Sequence, residues 1–229
     1  MTDLSFEPVG TRLRAVLSEL APRRLTAAVL RPAAVLVPVL CRPEGPTFLL
    51  IRRKHDLQEH AGQVAFPGGR LHEGESVEAG ALREAGEEVQ LPAARVELVG
   101  RLDDQPSPSC YRVTPVVGLV RDPPPLTAEP GEVAEMFEVP LARLLEPGRV
   151  HAEWWPVSRL PAGAPLGVLM DPRAGYRDVD RRGMRYRVHF FDTGGGPERV
   201  IWGLTARIVG QFLALAFGFI LPDPVPGDR

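Results

Sequence analysis

The chain has 229 residues, 44% of them hydrophobic and 24% charged, which suits one globular domain with a sizeable core. A net charge of −2 supplies no global field that would favour nucleic acid or an anionic membrane surface. Cys41 and Cys110 are too few for a disulfide scaffold, and the opening MTDLSFEPVG lacks the basic and apolar regions of a secretory signal, so a reduced, cytoplasmic protein is expected.

In chain order, Leu13, Val16, Leu17 and Leu20 recur at helical spacing and predict an N-terminal amphipathic helix over about 4–25, closed by Pro22. Two β-rich runs, AVLVPVL (34–40) and TFLLIRR (47–53), are split by Arg-Pro-Glu-Gly-Pro and read as a hairpin-like pair. Pro38 inside the first run predicts an edge or a bulge there. A loop over 54–69, ending in a Gly68-Gly69 turn, leads to a helix at about 76–89 with Ser76 as N-cap and Pro92 beyond its end. Strands are expected at 95–102, 112–120 and about 133–139, the last after the Pro-rich DPPPLTAEPGE. The Gly-, Pro- and Arg-rich stretch 147–183 shows no clear period and predicts an irregular, lid-like insertion that contains Trp154 and Trp155. RYRVHFF (185–191) and RVIW (199–202) flank Gly194-Gly195-Gly196 and read as a hairpin. The apolar run from Val200 to Leu221 is interrupted by Arg207 and Gln211, four residues apart on one stripe, which favours a packed C-terminal helix over a membrane span. Short strands interleaved with helices predict an α+β sandwich.

The helix at 76–89 carries the chemistry. Glu84, Glu87 and Glu88 stand three and four residues apart, so a helix gathers them on one face, where like charges repel. A hard divalent cation such as Mg²⁺ removes that repulsion and bridges carboxylates to substrate phosphates. Glycines at 80 and 86 each cost about 1 kcal/mol against alanine in a helix interior, so propensity alone does not shape this helix. Arg52, Arg53, Lys54 and His55 form a basic cluster that can grip a phosphate or simply face water, and His60 can donate to phosphate or hold its own loop.

Gly69, Glu75, Arg83, Glu84, Ala85, Glu87, Glu88 and Leu91 match the Nudix box, G-x5-E-x7-R-E-U-x-E-E-x-G-U, and the chain resembles a Nudix hydrolase. Gln90 departs from the pattern, where the family has glycine. Upstream, LLIRRKHDLQEHAGQVAFPGG resembles the signature of the coenzyme A pyrophosphatase branch at Leu49, Leu50, Arg53, Gly62, Phe66, Pro67, Gly68 and Gly69. Ile51, Lys54 and Gln58 depart from it. The resemblance extends over roughly 33–217 and implies a Nudix-type α/β/α sandwich with a mixed β-sheet and added N- and C-terminal helices.

The resemblance also implies a reaction and a site. Glu84 and Glu88 would be the principal Mg²⁺ ligands, with Mn²⁺ as a substitute, joined by Glu87 and the Gly69 carbonyl. Arg83 would fix a box carboxylate, Glu75 or Glu87. Glu132 is the candidate general base, with Glu135 as competitor, and Arg53, His60, Phe66 and Gly68 are the substrate-binding candidates. The implied substrate is coenzyme A or a derivative, split into 3′,5′-adenosine diphosphate and 4′-phosphopantetheine, with Trp154 or Trp155 as wall of an apolar channel for the pantetheine arm. Two alternatives stand beside it: a Nudix enzyme acting on NADH or ADP-ribose, and a non-catalytic Nudix-fold binding module. Homodimers are common among Nudix proteins, although nothing in these residues signals one.

Overall fold

The computed structural model describes residues 3–54, 62–171 and 179–224. Its elements run α1 (Phe6–Glu19), β1 (Arg31–Leu40), β2 (Thr47–Arg53), β3 (Val64–Ala65), β4 (Gly68–Arg70), α2 (Val77–Val89), β5 (Glu97–Arg101), β6 (Gln105–Pro106), β7 (Tyr111–Val120) and β8 (Val133–Pro140). Then follow α3 (Leu141–Leu144), β9 (Val150–Pro156), α4 (Leu166–Leu169), β10 (Val179–Asp180), β11 (Arg185–Phe191), β12 (Ile201–Trp202) and α5 (Gly203–Phe217).

Period-two alternation in the long strands builds the layers. Val37 and Val39 of β1, Phe48 and Leu50 of β2, and Val117 and Leu119 of β7 face α1 and α5. Their neighbours Leu36, Leu40, Leu49, Ile51, Val116 and Val120 face the opposite way, onto Ala81, Ala85 and Val89 of α2. The result is a mixed eight-stranded sheet between helices, in the order β3-β2-β1-β7-β5, with β4 beside β1, β6 beside β7 and β8 beside β2. Among the described residues only β1 and β7 run parallel, from Arg31 opposite Tyr111 to Leu40 opposite Val120. A second sheet, β10-β11-β12 with β9 beside β11, carries its own apolar cluster around Leu169, Tyr186 and Val188.

Several expectations need correction. β1 is a central strand, neither an edge nor a bulge: β4 covers Ala33–Val35 and β2 covers Val39–Leu40. Pro38 falls between those two registers, so its missing N–H costs no antiparallel ladder bond there. Gly68-Gly69 is strand, not turn, because Gly68 pairs with Val35 and Gly69 with Ala34. A side chain at 68 has no room, since a Cβ would lie 2.4 Å from the Ala34 carbonyl oxygen. The first helix stops at Glu19 instead of about 25, just ahead of Pro22, which disfavours helix in the residues before it; beyond it, Asp103 accepts the Arg23 amide at 2.8 Å and Asp104 the Leu25 amide at 2.9 Å. The 147–183 stretch is irregular only in part. Val150–Pro156 forms β9, in register with β11 from Phe191 to Arg185, a regularity hidden by the flanking Gly and Pro.

Other expectations hold. β1 and β2 are antiparallel neighbours, and β11 pairs with β12 through Phe190–Trp202 and Phe191–Ile201. α5 packs Ile208, Val209, Phe212 and Leu213 into the core, and Gln211 accepts the Asp103 amide at 3.2 Å. Among the described residues no helix is long and apolar enough to cross a membrane.

Candidate active site

Ser76 caps α2 by accepting the Ala79 amide at 3.1 Å, with Glu78 in the first turn. At the other end Gln90 takes the left-handed conformation, φ 55° and ψ 33°, that the missing glycine would adopt without strain. The last carbonyls are not left bare: Glu88 O accepts the Glu129 amide at 2.9 Å and Val89 O accepts the Thr127 amide at 3.3 Å. Gly80 has a packing reason, because a Cβ there would sit 2.2 Å from Leu71. Gly86 has none, for nothing but the Leu91 carbonyl approaches, at 3.8 Å.

One arginine organises the carboxylates. Arg83 Nε donates to Glu75 at 2.9 Å, and Nη1 donates to both Glu84 and Glu87 at 2.9 Å. Nη2 donates to Glu75 at 3.1 Å and to the Arg70 carbonyl at 3.0 Å, which ties the helix to the end of β4. The guanidinium thus fixes three of the four acidic residues at once, Glu84 included as well as Glu75 and Glu87. Its hydrogen bonds lower the Glu75 carboxyl to about 2.

Glu88 is the fourth, and its setting differs. It is 3% exposed, accepts the Gly68 amide at 2.9 Å and faces Arg53 Nη1 at 3.2 Å. Burial pushes its carboxyl up to about 7; the Gly68 amide and Arg53 oppose the shift, while Glu84 and Glu132 add to it. Burial also raises Glu84, against the pull of Arg83. Two neighbouring carboxylates therefore sit where ionisation is costly, the condition a cation relieves. Gly69 is pressed against this pair: a Cβ there would stand 2.5 Å from a Glu84 carboxylate oxygen.

Among the described residues no three His, Cys, Asp or Glu side chains gather into a ready-made metal cluster. Mg²⁺ commonly takes one or two carboxylates and completes its shell with water and substrate phosphate. The hard oxygen donors Glu84 and Glu88 fit such an ion, and the Gly69 backbone runs beside them.

A cleft of about 910 Å³ opens over the site, lined by Arg53, Gly68, Gly69, Glu84 and Glu132 at the acidic end. Glu132 is largely exposed and lies 3.8 Å from Arg53 Nη2. Glu135 is occupied elsewhere, by Arg52 at 3.4 Å and by Arg199. Phe66 borders the cleft, but its ring is packed edge-on against Phe48 at 5.3 Å and is 2% exposed, so it supports the wall from behind. Trp155 lines the cleft, whereas Trp154 lies under the Arg185 guanidinium, 5.6 Å from its ring centre. His60, with His55 and Gln58, lies outside the described residues. The sequence reading missed Tyr186, Val188 and Trp202 on the facing wall. Tyr186 and Val188 are two apart in a recognised strand, and that alternation was the available signal.

The α+β fold presents an arginine-braced acidic helix to an open cleft, an arrangement chemically suited to phosphate-anhydride hydrolysis. The NUDIX domain family model matches residues 30–162, and the chain belongs to that family. A protein described as uncharacterized Nudix hydrolase NudL from Photorhabdus laumondii is 42% identical over 182 residues, covering 79% of this chain and 82% of that protein. The Yersinia pestis protein of the same description is 41% identical over 184 residues, covering 80% of this chain and 78% of its own. Among solved structures, the Ap4A hydrolase of C. elegans in a binary complex is 19% identical with a TM-score of 0.41, covering 48% of this chain and 80% of that one. The chain is a Nudix pyrophosphohydrolase.

Proposed function

We propose that the protein hydrolyses the diphosphate bond of coenzyme A or its derivatives, giving 3′,5′-adenosine diphosphate and 4′-phosphopantetheine. One observation carries this reading: both ends of the coenzyme A-branch signature converge on Glu88. Arg53, from the front of the signature, faces its carboxylate at 3.2 Å, and Gly68, from the end, donates its amide at 2.9 Å. The loop that speaks to the substrate is thereby anchored on the helix that speaks to the reaction. Of the departures from the signature, Ile51 is fully buried against α2, so it alters packing and not recognition.

In this reading Glu84 and Glu88 would hold Mg²⁺ or Mn²⁺, with Glu87 and the Gly69 carbonyl contributing. Such a cation would supply charge neutralisation for the diphosphate and a lowered pKa for the attacking water. Arg83 keeps Glu75, Glu84 and Glu87 in fixed rotamers. Arg53 braces Glu88 and offers its remaining N–H groups to phosphate. Glu132, exposed at the mouth of the cleft, accepts the proton of the water, a role that Glu135 is too heavily paired to fill.

Rates on coenzyme A, NADH and ADP-ribose with Mg²⁺ test the assignment. Release of 3′,5′-adenosine diphosphate from coenzyme A, at a kcat/KM above the other two, is expected. Faster cleavage of NADH or ADP-ribose would transfer the protein to that substrate class.

A further inference from the structure

The cleft is polarised along its length. The carboxylates on its lining, Glu84 and Glu132, stand at the end of the acidic helix, where Arg53 is paired with Glu88 and Glu132. Past β4 the lining carries Arg70, Arg159, Ser107, Ser109 and Tyr111, with no further carboxylate among the described residues.

Tyr111 is the anomaly at this end. It opens β7 and is 6% exposed, yet its hydroxyl has no hydrogen-bond partner among the described residues. A buried phenol ordinarily finds one, and leaving it unpaired is destabilising. Its backbone, by contrast, is fully engaged: Ser107 Oγ accepts the Tyr111 amide at 3.0 Å, and the Ser107 amide donates to the Tyr111 carbonyl at 2.8 Å. Two guanidinia lie against the ring, Arg31 at 4.2 Å and Arg70 at 5.2 Å from its centre. A third is brought to the same end, because Cys110 Sγ meets the Gly163 carbonyl at 3.6 Å and the segment after β9 thereby abuts the turn before β7. That segment carries Arg159, whose guanidinium lies 4.7 Å from the Trp155 ring centre and has no carboxylate partner among the described residues. A guanidinium laid on an aromatic face keeps its in-plane N–H groups for an anion. Arg70 joins this end to the reacting one: it follows Gly69 directly, its carbonyl accepts Arg83 Nη2 at 3.0 Å, and its side chain reaches Tyr111.

We propose that the Tyr111 hydroxyl, Arg70 and Arg159 form a subsite for a phosphomonoester carried on the ribose of the substrate, beside the diphosphate that is cleaved. The inference rests on the coenzyme A reading above, in which that group is the 3′-phosphate. The chemistry matches the lining. A phosphate dianion uses both the guanidinium charge and the donor that the phenol has not spent, whereas a hydrocarbon arm or an uncharged ribose hydroxyl gains nothing from the charge. The ligand reaches the hydroxyl through a side-chain adjustment of the kind common on binding, with the exposed, long Arg70 side chain able to make it.

Tyr111→Phe isolates the hydroxyl, since the ring and its two guanidinium contacts stay. No described protein group loses a bond, so the melting temperature holds or rises. The effect falls on discrimination: the ratio of kcat/KM for coenzyme A to that for 3′-dephospho-coenzyme A drops by about tenfold or more, the worth of one hydrogen bond to a charged group. Arg159→Ala lowers the same ratio by about two- to fivefold, less at high salt, and Arg159→Lys restores part of it.

The experiment measures this ratio in the wild type and the three variants, at low and high salt. A second readout needs no turnover: calorimetric titration of the full chain with 3′,5′-adenosine diphosphate and with AMP, which differ by that one phosphate. Tighter binding of the bisphosphate is expected in the wild type, with the difference narrowed in Tyr111→Phe. Coenzyme A cleavage with a wild-type ratio near one, or a ratio unaltered in a folded Tyr111→Phe, overturns the subsite and leaves the coenzyme A reading intact. If no coenzyme A derivative is cleaved, the substrate reading fails; equal binding of the two nucleotides then overturns the subsite separately, and a difference that narrows in Tyr111→Phe upholds it.

Discussion

Gly68 and Gly69 are adjacent in β4, yet adding a methyl group to each should have opposite consequences. At Gly69 the new Cβ would lie 2.5–2.6 Å from the Glu84 carboxylate, about 1 Å inside normal contact. The obstructing atoms are the end of a side chain, so the protein relieves the clash by swinging that carboxylate away and the fold survives. A displacement near 1 Å at a reacting site costs on the order of 10²-fold in rate. Gly69→Ala is therefore expected to lower kcat by about that factor and weaken Mg²⁺ activation, with a melting temperature within a few degrees of wild type. At Gly68 the Cβ would meet the Ala34 carbonyl at 2.4 Å and the Val35 Cα at 2.6 Å. Backbone in a central strand cannot swing aside, and overpacking of this kind costs about 1–3 kcal/mol or more. For a chain of 229 residues that lowers the melting temperature by roughly 2–12 °C. Differential scanning calorimetry beside Mg²⁺-dependent diphosphate-cleavage assays reads both. A fully active Gly69→Ala, or a Gly68→Ala as stable as wild type, refutes the assignment of the two contacts.

Glu84→Gln and Glu88→Gln should each reduce turnover by orders of magnitude while circular dichroism stays native; normal Mg²⁺ dependence in both would remove these residues from the site. Glu88 also predicts a pH response in the chelated protein. Its carboxyl stands at about 7 against an ordinary 4.5, so the folded state holds the proton more tightly and this residue's contribution to stability declines as pH rises from 4.5 to 7. Mg²⁺ should accordingly raise the melting temperature more at pH 8 than at pH 5, and an equal rise at both would contradict it. Gly86→Ala should stabilise by about 0.5–1 kcal/mol, since a Cβ there meets nothing closer than 3.8 Å; chemical denaturation would show it. Gln90→Gly should add about 1 kcal/mol by relieving the left-handed φ of 55°, and no gain in the same denaturation experiment would mean the side chain is held by contacts that offset the strain.

What could be read in advance was what local rules control. Ser76, Glu78 and the apolar arc of Ala81, Ala85 and Val89 mark α2 because capping, dipole and 3.6-residue period act within a turn or two. The hairpins and the C-terminal helix were legible for the same reason. The two- and three-residue strands β3, β4, β6 and β10 have no period to detect, and β9 was concealed by its neighbours' composition. α1 ends at Glu19, short of Pro22, and only the tertiary structure shows that the chain after it is held by Asp103 and Asp104, some eighty residues away, which accept the Arg23 and Leu25 amides.

The same division holds for the site. The sequence by itself determined that Glu84, Glu87 and Glu88 would share a helix face beside Arg83, because side-chain spacing on a helix is fixed by its pitch. Only the tertiary structure decided that they are not equivalent. Glu87 stays in solvent on the Arg83 clamp, while Glu88 is carried under β4, where burial sets its charge at odds with its surroundings and only the Gly68 amide and Arg53 oppose the shift. Burial depends on what the rest of the chain lays over a residue. For the same reason the aromatic wall, assembled from β9, β11 and β12 across the cleft, became visible only once the second sheet was in place.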